Sequence, residues 1–518
     1  MRSRKALGRK HRQIGKEMTE ADVPVFEIRG WDIERFVPEY VREMIDKAAD
    51  RGMNAIGLSH AICMNVEEIL YDWHRDKHLE GFCRQARERG MQVYLWTHEV
   101  NGPVDAWVAD DGRLRLDDPA LYDWIAGKYR TASRKVPSCE GFILSLTESR
   151  FQVHRENSVV TTMRPAERMA RVVNAVRDGC AQEGKRLIVR DFLRSPAEMD
   201  AFLEAMGSVP DDVWVYTKCV PNDWQFRYPP HPLLGRLDPH KQIMEMDLAT
   251  EAGGIKRWPM CIPEYIQQML RLAREKGLAG VIPRCDDGYA TNIGTPNEIN
   301  VYAYSILIHD PDADVDRIWR DWCRERYGER AAGVAESVLR RTFDLVCAMQ
   351  YTLGFWTGSG CKFPKISYTD GHLINHSSAI WDPSPENKRI EQLLLAGGPE
   401  AVDATVAEKV EAERISRQCL DELDSARGAF TIADYDQLRG YFERAARDAR
   451  TGQKWARAYF ALRWFRNTKS AEASRELEDA LEECRRHLES SPDAVYEPDK
   501  EAVARFIEEA EGFVICDL

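Results

Sequence analysis

Three carboxylates stand where a reacting bond could be held between them. Glu148 lies two residues after the apolar run "GFILSL" (141–146), Asp223 lies in "VYTKCVPNDWQFR", and Glu251 lies in "MEMDLATEAGG". Each follows a run that reads as a buried strand. Acid–base chemistry on a stable bond needs one carboxyl held protonated and another ionised, with surroundings that push their pKa values apart. Glycoside hydrolysis uses such a set: one acid protonates the leaving oxygen while a carboxylate activates water or attacks directly. Trp31 after the first run, Trp96 in the third, and Trp224 beside Asp223 offer flat apolar faces with polar tips, which suit either a pyranose ring or a core plug. Arg190 and Lys218 close the fifth and sixth runs. They read as ion-pair partners of the carboxylates or as a clamp for an acidic sugar. Arg284 and Asp286, at the end of the eighth run, complete the candidate substrate-binding set.

What positions these residues is a repeated unit between residue 25 and about 310. Short apolar or β-branched runs alternate with amphipathic helical segments, the pattern of a parallel sheet covered by helices. The strand candidates are 25–28, 54–59, 92–97, 141–146, 186–192, 213–218, 242–247 and 280–284. "VPEYVREMIDKAADRG", "RPAERMARVVNAVRDGCAQEGK" and "IPEYIQQMLRLAREKG" have helical spacing, a proline near the first turn and a glycine near the last. Between the sixth and seventh strands "HPLLGRLDPH" is too short for a full helix. Eight strands over this length predict a (β/α)8 TIM barrel, with candidate active-site groups at the C-terminal ends of its strands. Beyond about 375 the chain turns to long charged segments of helical period, which predict an α-helical C-terminal domain. The expected division is a basic tail (1–24), a catalytic barrel (25–375) and the helical domain (376–518), whose surface suits a homodimer contact.

The 518 residues are 44% hydrophobic and carry a net charge of −13. Such a balance supplies a large core and argues against a nucleic-acid surface. The seven Lys and Arg within the first 16 residues are the exception, and read as a solvated tail without an apolar signal region. No run is long enough to span a membrane. Thirteen scattered cysteines without a C-x-x-C pattern predict buried thiols and a cytoplasmic location. His74 and His78, four apart among charged residues, read as an exposed helix face rather than a metal pair. Neither metal nor cofactor is expected.

The segment "VWVYTKCVPNDWQFRYPPHPLLG" followed by "KQIMEMDLATEAGG" resembles the catalytic core of the family 67 glycoside hydrolases, the α-glucuronidases of xylan breakdown. "DDPALYDWIAGKYRTASRKVPSCEGFILSLTES" is similar to the family segment ending in its general acid, and "GLAGVIPRCDD" with "NVYAYSILIHDPDADVDRIWRDW" to its last strand and following helix. The 28 residues from Asp223 to Glu251 match the spacing of the family's two candidate bases. The resemblance implies that Glu148 is the general acid and that Asp223 and Glu251 position and deprotonate water. It implies that Arg190 and Lys218 bind the uronate carboxylate, and that glucuronic or 4-O-methylglucuronic acid is released from short acidic oligosaccharides with inversion. Inversion places the carboxyls roughly 6.5–9.5 Å apart. The resemblance also implies a divergent branch: the family's N-terminal domain has no counterpart, the basic residue shortly before the acid is missing from "FILSLTE", and Ser149 replaces the family's glycine. Two other readings of the same residues are a retaining glycosidase with Glu148 as acid/base and Glu251 as nucleophile, and a carbohydrate-binding barrel whose chemistry has lapsed. "GFWTGSGCKFPKISYTDGHLINHSSAIW" (354–381) reads equally as a wall of the site or as an inter-domain linker.

Overall fold

Strands that read as unbroken apolar runs are buried on both faces, and the two faces pack against different partners. A computed structural model describes residues 24–516 apart from 73, 102–104, 255–256, 289, 359–362 and 492. The basic tail expected over 1–24 lies almost wholly outside them. The barrel strands are β1 (Ile28–Ile33), β2 (Ala55–Leu58), β3 (Gln92–His98), β4 (Gly141–Ser145), β5 (Arg186–Arg190), β6 (Trp214–Lys218), β7 (Gln242–Asp247) and β8 (Gly280–Arg284). They close in the order β1-β8-β7-β6-β5-β4-β3-β2, every pair parallel. Inward residues such as Ile28, Tyr94, Ile143, Ile188, Tyr216, Ile243 and Ile282 form one cluster that fills the barrel. Outward residues such as Trp31, Ile56, Leu95, Leu144, Val189 and Met244 join the larger core beneath the helices.

The first strand is displaced from its expected position. It starts at Ile28, where the sequence reading ended it, because Arg29 and Asp32 resemble polar interruptions. Arg29 instead caps the Phe26 carbonyl at 2.8 Å, and Asp32 points into the barrel over Gly57, where a Cβ would come within 2.4 Å of Asp32 Oδ1. Trp31 consequently lies inside the strand and not after it.

The predicted helices appear as α1 (Pro38–Asp50), α2 (Pro165–Ala181) and α3 (Pro263–Glu275), each with proline in its first turn. The α1 face formed by Val41, Met44, Ile45 and Ala48 is buried, as the 3.6-residue period requires. Between β6 and β7 the chain forms turns and no helix, as its short segment suggested.

Past β8 the chain is mostly helical. The segment 354–381 includes α4 (Ile366–Asn375), and the longest later helices are α5 (Pro399–Ser425) and α6 (Ile432–Thr468). Packing does not follow a cut at residue 375. Leu438, Phe442 and Ala449 of α6 belong to the barrel-side core, while Trp455, Tyr459, Phe460 and Leu462 of the same helix form a second core that also takes Phe355, Ile366 and Leu373. Arg257, on the loop after β7, is held by Asp448 of α6 at 2.7 Å and by Asp499 at 2.5 Å. Trp258 Nε1 donates to the same Asp448 carboxylate at 2.9 Å. The eleven cysteines between Cys63 and Cys484 whose side chains are described are buried free thiols, and among the described residues no helix is long and apolar enough to cross a membrane.

Candidate active site at the C-terminal mouth of the barrel

Inward parity at the C-terminal ends of the strands places cations under the carboxylates. Arg190, closing β5, donates through Nε and Nη2 to Glu245 of β7 at 2.7 and 2.8 Å, and through Nη1 to Glu148 Oε2 at 2.7 Å. Lys218, closing β6, donates to Asp223 Oδ1 at 2.5 Å and stands 3.9 Å from Glu245. Arg284, closing β8, pairs with Glu251, with Glu34 at 2.8 Å and with Asp287 at 3.5 Å. The three cationic side chains are 1%, 2% and 5% exposed, against 32%, 42% and 45% for Glu148, Asp223 and Glu251. The mouth is therefore two-tiered, with a rim of accessible carboxylates over a floor where three buried cations interlock with the buried carboxylates Glu245, Glu34 and Asp287.

Aromatic rings join the floor. Lys218 Nζ sits 3.3 Å from the centre of the Trp224 ring, and Arg284 lies 4.7 Å from the same ring. Arg190 lies 4.8 Å from the Trp96 ring and 4.7 Å from Phe192. Cations held on aromatic faces are desolvated without losing all stabilisation.

The carboxyl groups fall into two electrostatic classes. Burial pushes Glu148 up, but Arg190, His98 and Lys218 outweigh it and hold Glu148 well below the usual carboxylate range. His98 Nε2 and Ser145 Oγ each lie 3.4 Å from Glu148 Oε2. Deeper in the barrel, burial and the neighbouring Glu34 push Asp32 up to about 8. Burial likewise lifts Asp247 and Asp191 to about 7. Carboxyls with displaced pKa values in one cleft are a frequent mark of acid–base sites, although structural charge networks produce them too.

The raised Asp32 has a consequence for stability. An unfolded aspartate titrates near ~3.9, whereas Asp32 in the fold keeps its proton up to about 8. Its contribution is full below the unfolded pKa and is lost as pH rises towards the folded one. Asp32→Asn, which does not titrate, is expected to show a shallower loss of denaturation midpoint from about pH 5 to pH 8 than the parent chain. Equal slopes would mean that Asp32 is ionised in the fold.

Several of the expected site residues lie elsewhere. Trp31 is fully buried in the outer core and offers no face to a ligand. Trp96 is buried inside the barrel, its Nε1 donating to His98 Nε2 at 3.2 Å, so it supports the floor and is no open platform. Trp224 is likewise covered by Lys218 and Arg284. Asp286 is fully buried and accepts from the Glu34 backbone N–H at 2.7 Å, which makes it a support for the β1 end and not a substrate contact. The structure brings together Glu148 with Arg190, Asp223 with Lys218, and Glu251 with Arg284.

Glu245, Glu34, His98 and Asp32 escaped the sequence reading. Parity was the available signal: in "QIMEMD" Glu245 shares the inward side with Ile243, and in "IRGWDI" Asp32 shares it with Ile28. Asp32, Glu34 and His60 can present three ligand atoms within 4.8 Å of one another. His60 Nδ1 at 3.0 Å and Arg284 Nε at 2.8 Å already share Glu34 Oε1, so a cation there would have to displace a guanidinium. His78, of the pair weighed on the sequence, packs against Phe82 and Phe36.

Within 354–381, the end of α4 and His376 fold back onto the mouth. Asn222 and Tyr228, on the loop after β6, donate to the His376 carbonyl at 3.3 and 2.5 Å. A cleft of about 340 Å³ opens between this loop, Phe192 and Arg194 after β5, and α4.

No known protein family and no curated protein matches the chain by sequence. Its fold matches solved structures of glycoside hydrolases. One is a GH138 enzyme targeting pectin rhamnogalacturonan II, with a TM-score of 0.63 and 12% identity over 91% of this chain and 63% of that one. Another is a family GH115 4-O-methyl-α-glucuronidase with specificity for decorated arabinogalactans, with a TM-score of 0.50 and 11% identity over 90% and 59%. The chain spans less than two thirds of the length of either. At these identities the likeness is one of fold, an eight-stranded (β/α) barrel with helical additions.

Proposed function

We propose that the protein is a glycoside hydrolase that removes a terminal uronic acid residue from a short acidic saccharide, in the manner of an inverting α-glucuronidase. The observation that carries this reading is the floor of Arg190, Lys218 and Arg284 beneath three accessible carboxylates. A neutral sugar offers these cations only hydroxyl acceptors, whereas a sugar carboxylate adds a charge-assisted bond and matches a guanidinium bidentately. The resemblance to family 67 assigns a uronate-binding part to Arg190 and Lys218, and the GH115 structure is that of a glucuronidase on a related fold.

Glu148 enters the reaction as the proton donor, yet before substrate binds Arg190 holds it ionised. Substrate resolves this conflict. A uronate carboxylate that reaches Arg190 Nη1 takes the hydrogen bond now held by Glu148 and adds a negative charge beside it. Both changes favour the neutral carboxyl. Glu148 then takes up a proton and delivers it to the glycosidic oxygen. Asp223 and Glu251 hold and deprotonate the water that attacks the opposite face. Lys218 and Arg284 keep both of these bases oriented.

The test is hydrolysis of α-linked glucuronosyl oligosaccharides followed by proton NMR. Release of the β-anomer first, with matched glucosides at least about a hundredfold poorer in kcat/KM, is expected. First release of the α-anomer, or equal rates on glucosides, would overturn the reading.

A further inference from the structure

The cleft of about 340 Å³ beside Asp223 plays no part in the steps above. One wall is the barrel: Phe192 and Arg194 from the loop after β5, Asn222 and Asp223 from the loop after β6. The other wall is α4 with the residue that follows it, presenting Tyr368, His372 and His376. Tyr368 is among the large apolar side chains the chain leaves exposed, and its ring lies 4.4 Å from that of His372. Nδ1 of His372 and Nδ1 of His376 are buried without a hydrogen-bond partner, as is Oδ1 of Asn222. Burial lowers His372 to about 4, so its ring is neutral and can donate or accept. An exposed aromatic face, unpartnered ring nitrogens and an amide oxygen around one cleft are what a polyhydroxylated ring needs: stacking on one side and mixed donors and acceptors at its edge.

We propose that this cleft is the subsite for the leaving-group sugar, with its pyranose ring stacked on Tyr368 and its hydroxyls met by Asn222, His372 and His376. The inference rests on the reading of the barrel mouth as a glycosidase site, because Asp223 belongs to both the mouth and the cleft. It assigns α4 a part in substrate selection. The helix is anchored for this by Asp370, which pairs with Arg463 and Arg466 of α6, each at 2.7 Å.

Tyr368→Ala and Tyr368→Phe distinguish the subsite from a structural role when assayed on two substrates. An α-glucuronosyl oligosaccharide fills the cleft; α-glucuronosyl fluoride has no leaving sugar to place there. Tyr368→Ala is expected to raise KM for the oligosaccharide about tenfold, to leave the fluoride unchanged, and to be rescued by Tyr368→Phe, which keeps the ring. Equal losses on both substrates, or no loss on either, would overturn the proposal. If the parent chain hydrolyses neither substrate, the reaction assigned above is wrong. The cleft is then judged by calorimetric titration with neutral xylo- and galacto-trisaccharides. Binding weakened by Tyr368→Ala supports it, and absent or equal binding rejects it.

Discussion

Glu148→Gln is expected to lower kcat on glucuronosyl oligosaccharides by about 10²–10⁴ while leaving hydrolysis of α-glucuronosyl fluoride within about tenfold of the parent enzyme. A sugar alkoxide is a poor leaving group and needs a proton as the bond breaks, whereas fluoride departs with little assistance. The contrast therefore isolates proton donation from binding and from water activation. The substitution keeps the shape of the contact, since a glutamine oxygen can still accept from Arg190 Nη1, now 2.7 Å from the carboxylate, and the thermal midpoint at neutral pH should fall only by the lost charge attraction. Comparable losses on both substrates would reassign Glu148 to binding or to the water. An unaltered oligosaccharide rate would remove it from the chemistry. The pH profile adds a second readout. Free enzyme holds Glu148 ionised because Arg190, His98 and Lys218 outweigh its burial, so a basic limb in kcat, which reports the bound complex, is expected to disappear in Glu148→Gln.

Arg190→Met should be costly to the fold as well as to uronate selectivity. Arg190 gives two hydrogen bonds to Glu245 inside the barrel, and its removal leaves that buried carboxylate with Lys218 at 3.9 Å as its nearest cation. Removing one partner of a buried pair costs about 3–5 kcal/mol. Arg190→Met combined with Glu245→Gln removes the stranded charge as well, and should recover most of that stability. The two effects then separate. If Arg190 binds the substrate carboxylate, the stable double variant still fails to prefer glucuronides over glucosides, with KM for glucuronides raised by at least about a hundredfold. A double variant that regains both stability and preference would limit Arg190 to holding the barrel together.

How much of this could be read in advance varies along the chain. Seven of the eight strands lie within a residue or two of their expected positions, because a parallel strand covered on both sides must be apolar nearly throughout. β1 was misplaced for the opposite reason. Its polar residues serve the mouth, and Asp32 interrupts the run that marks a strand. The cations and carboxylates at the strand ends were recognisable one by one. Their pairing was not, since Arg190 meets Glu245 across 55 residues of sequence and only barrel closure brings them together. The same limit applies to 354–381, whose composition is equally that of a wall and a linker. It becomes a wall through Asp370 and the His376 carbonyl, contacts made with α6 and with the β6 loop. Trp31, Trp96 and Asp286 were overvalued because position along a strand says where a residue lies, whereas its parity and its neighbours decide which way it faces.

The anchorage of Arg257 bears on how this architecture can be taken apart. Six residues beyond Glu251, a buried guanidinium depends on two carboxylates that come from the helical region, and α6 runs through both cores without a break. A chain shortened to its barrel would lose the counter-charges that fasten Arg257 on the loop after β7. The helices therefore act as tie-beams of the barrel mouth. Shuffling of this barrel between proteins, by recombination or by the engineer, has to move the whole frame as one inheritance.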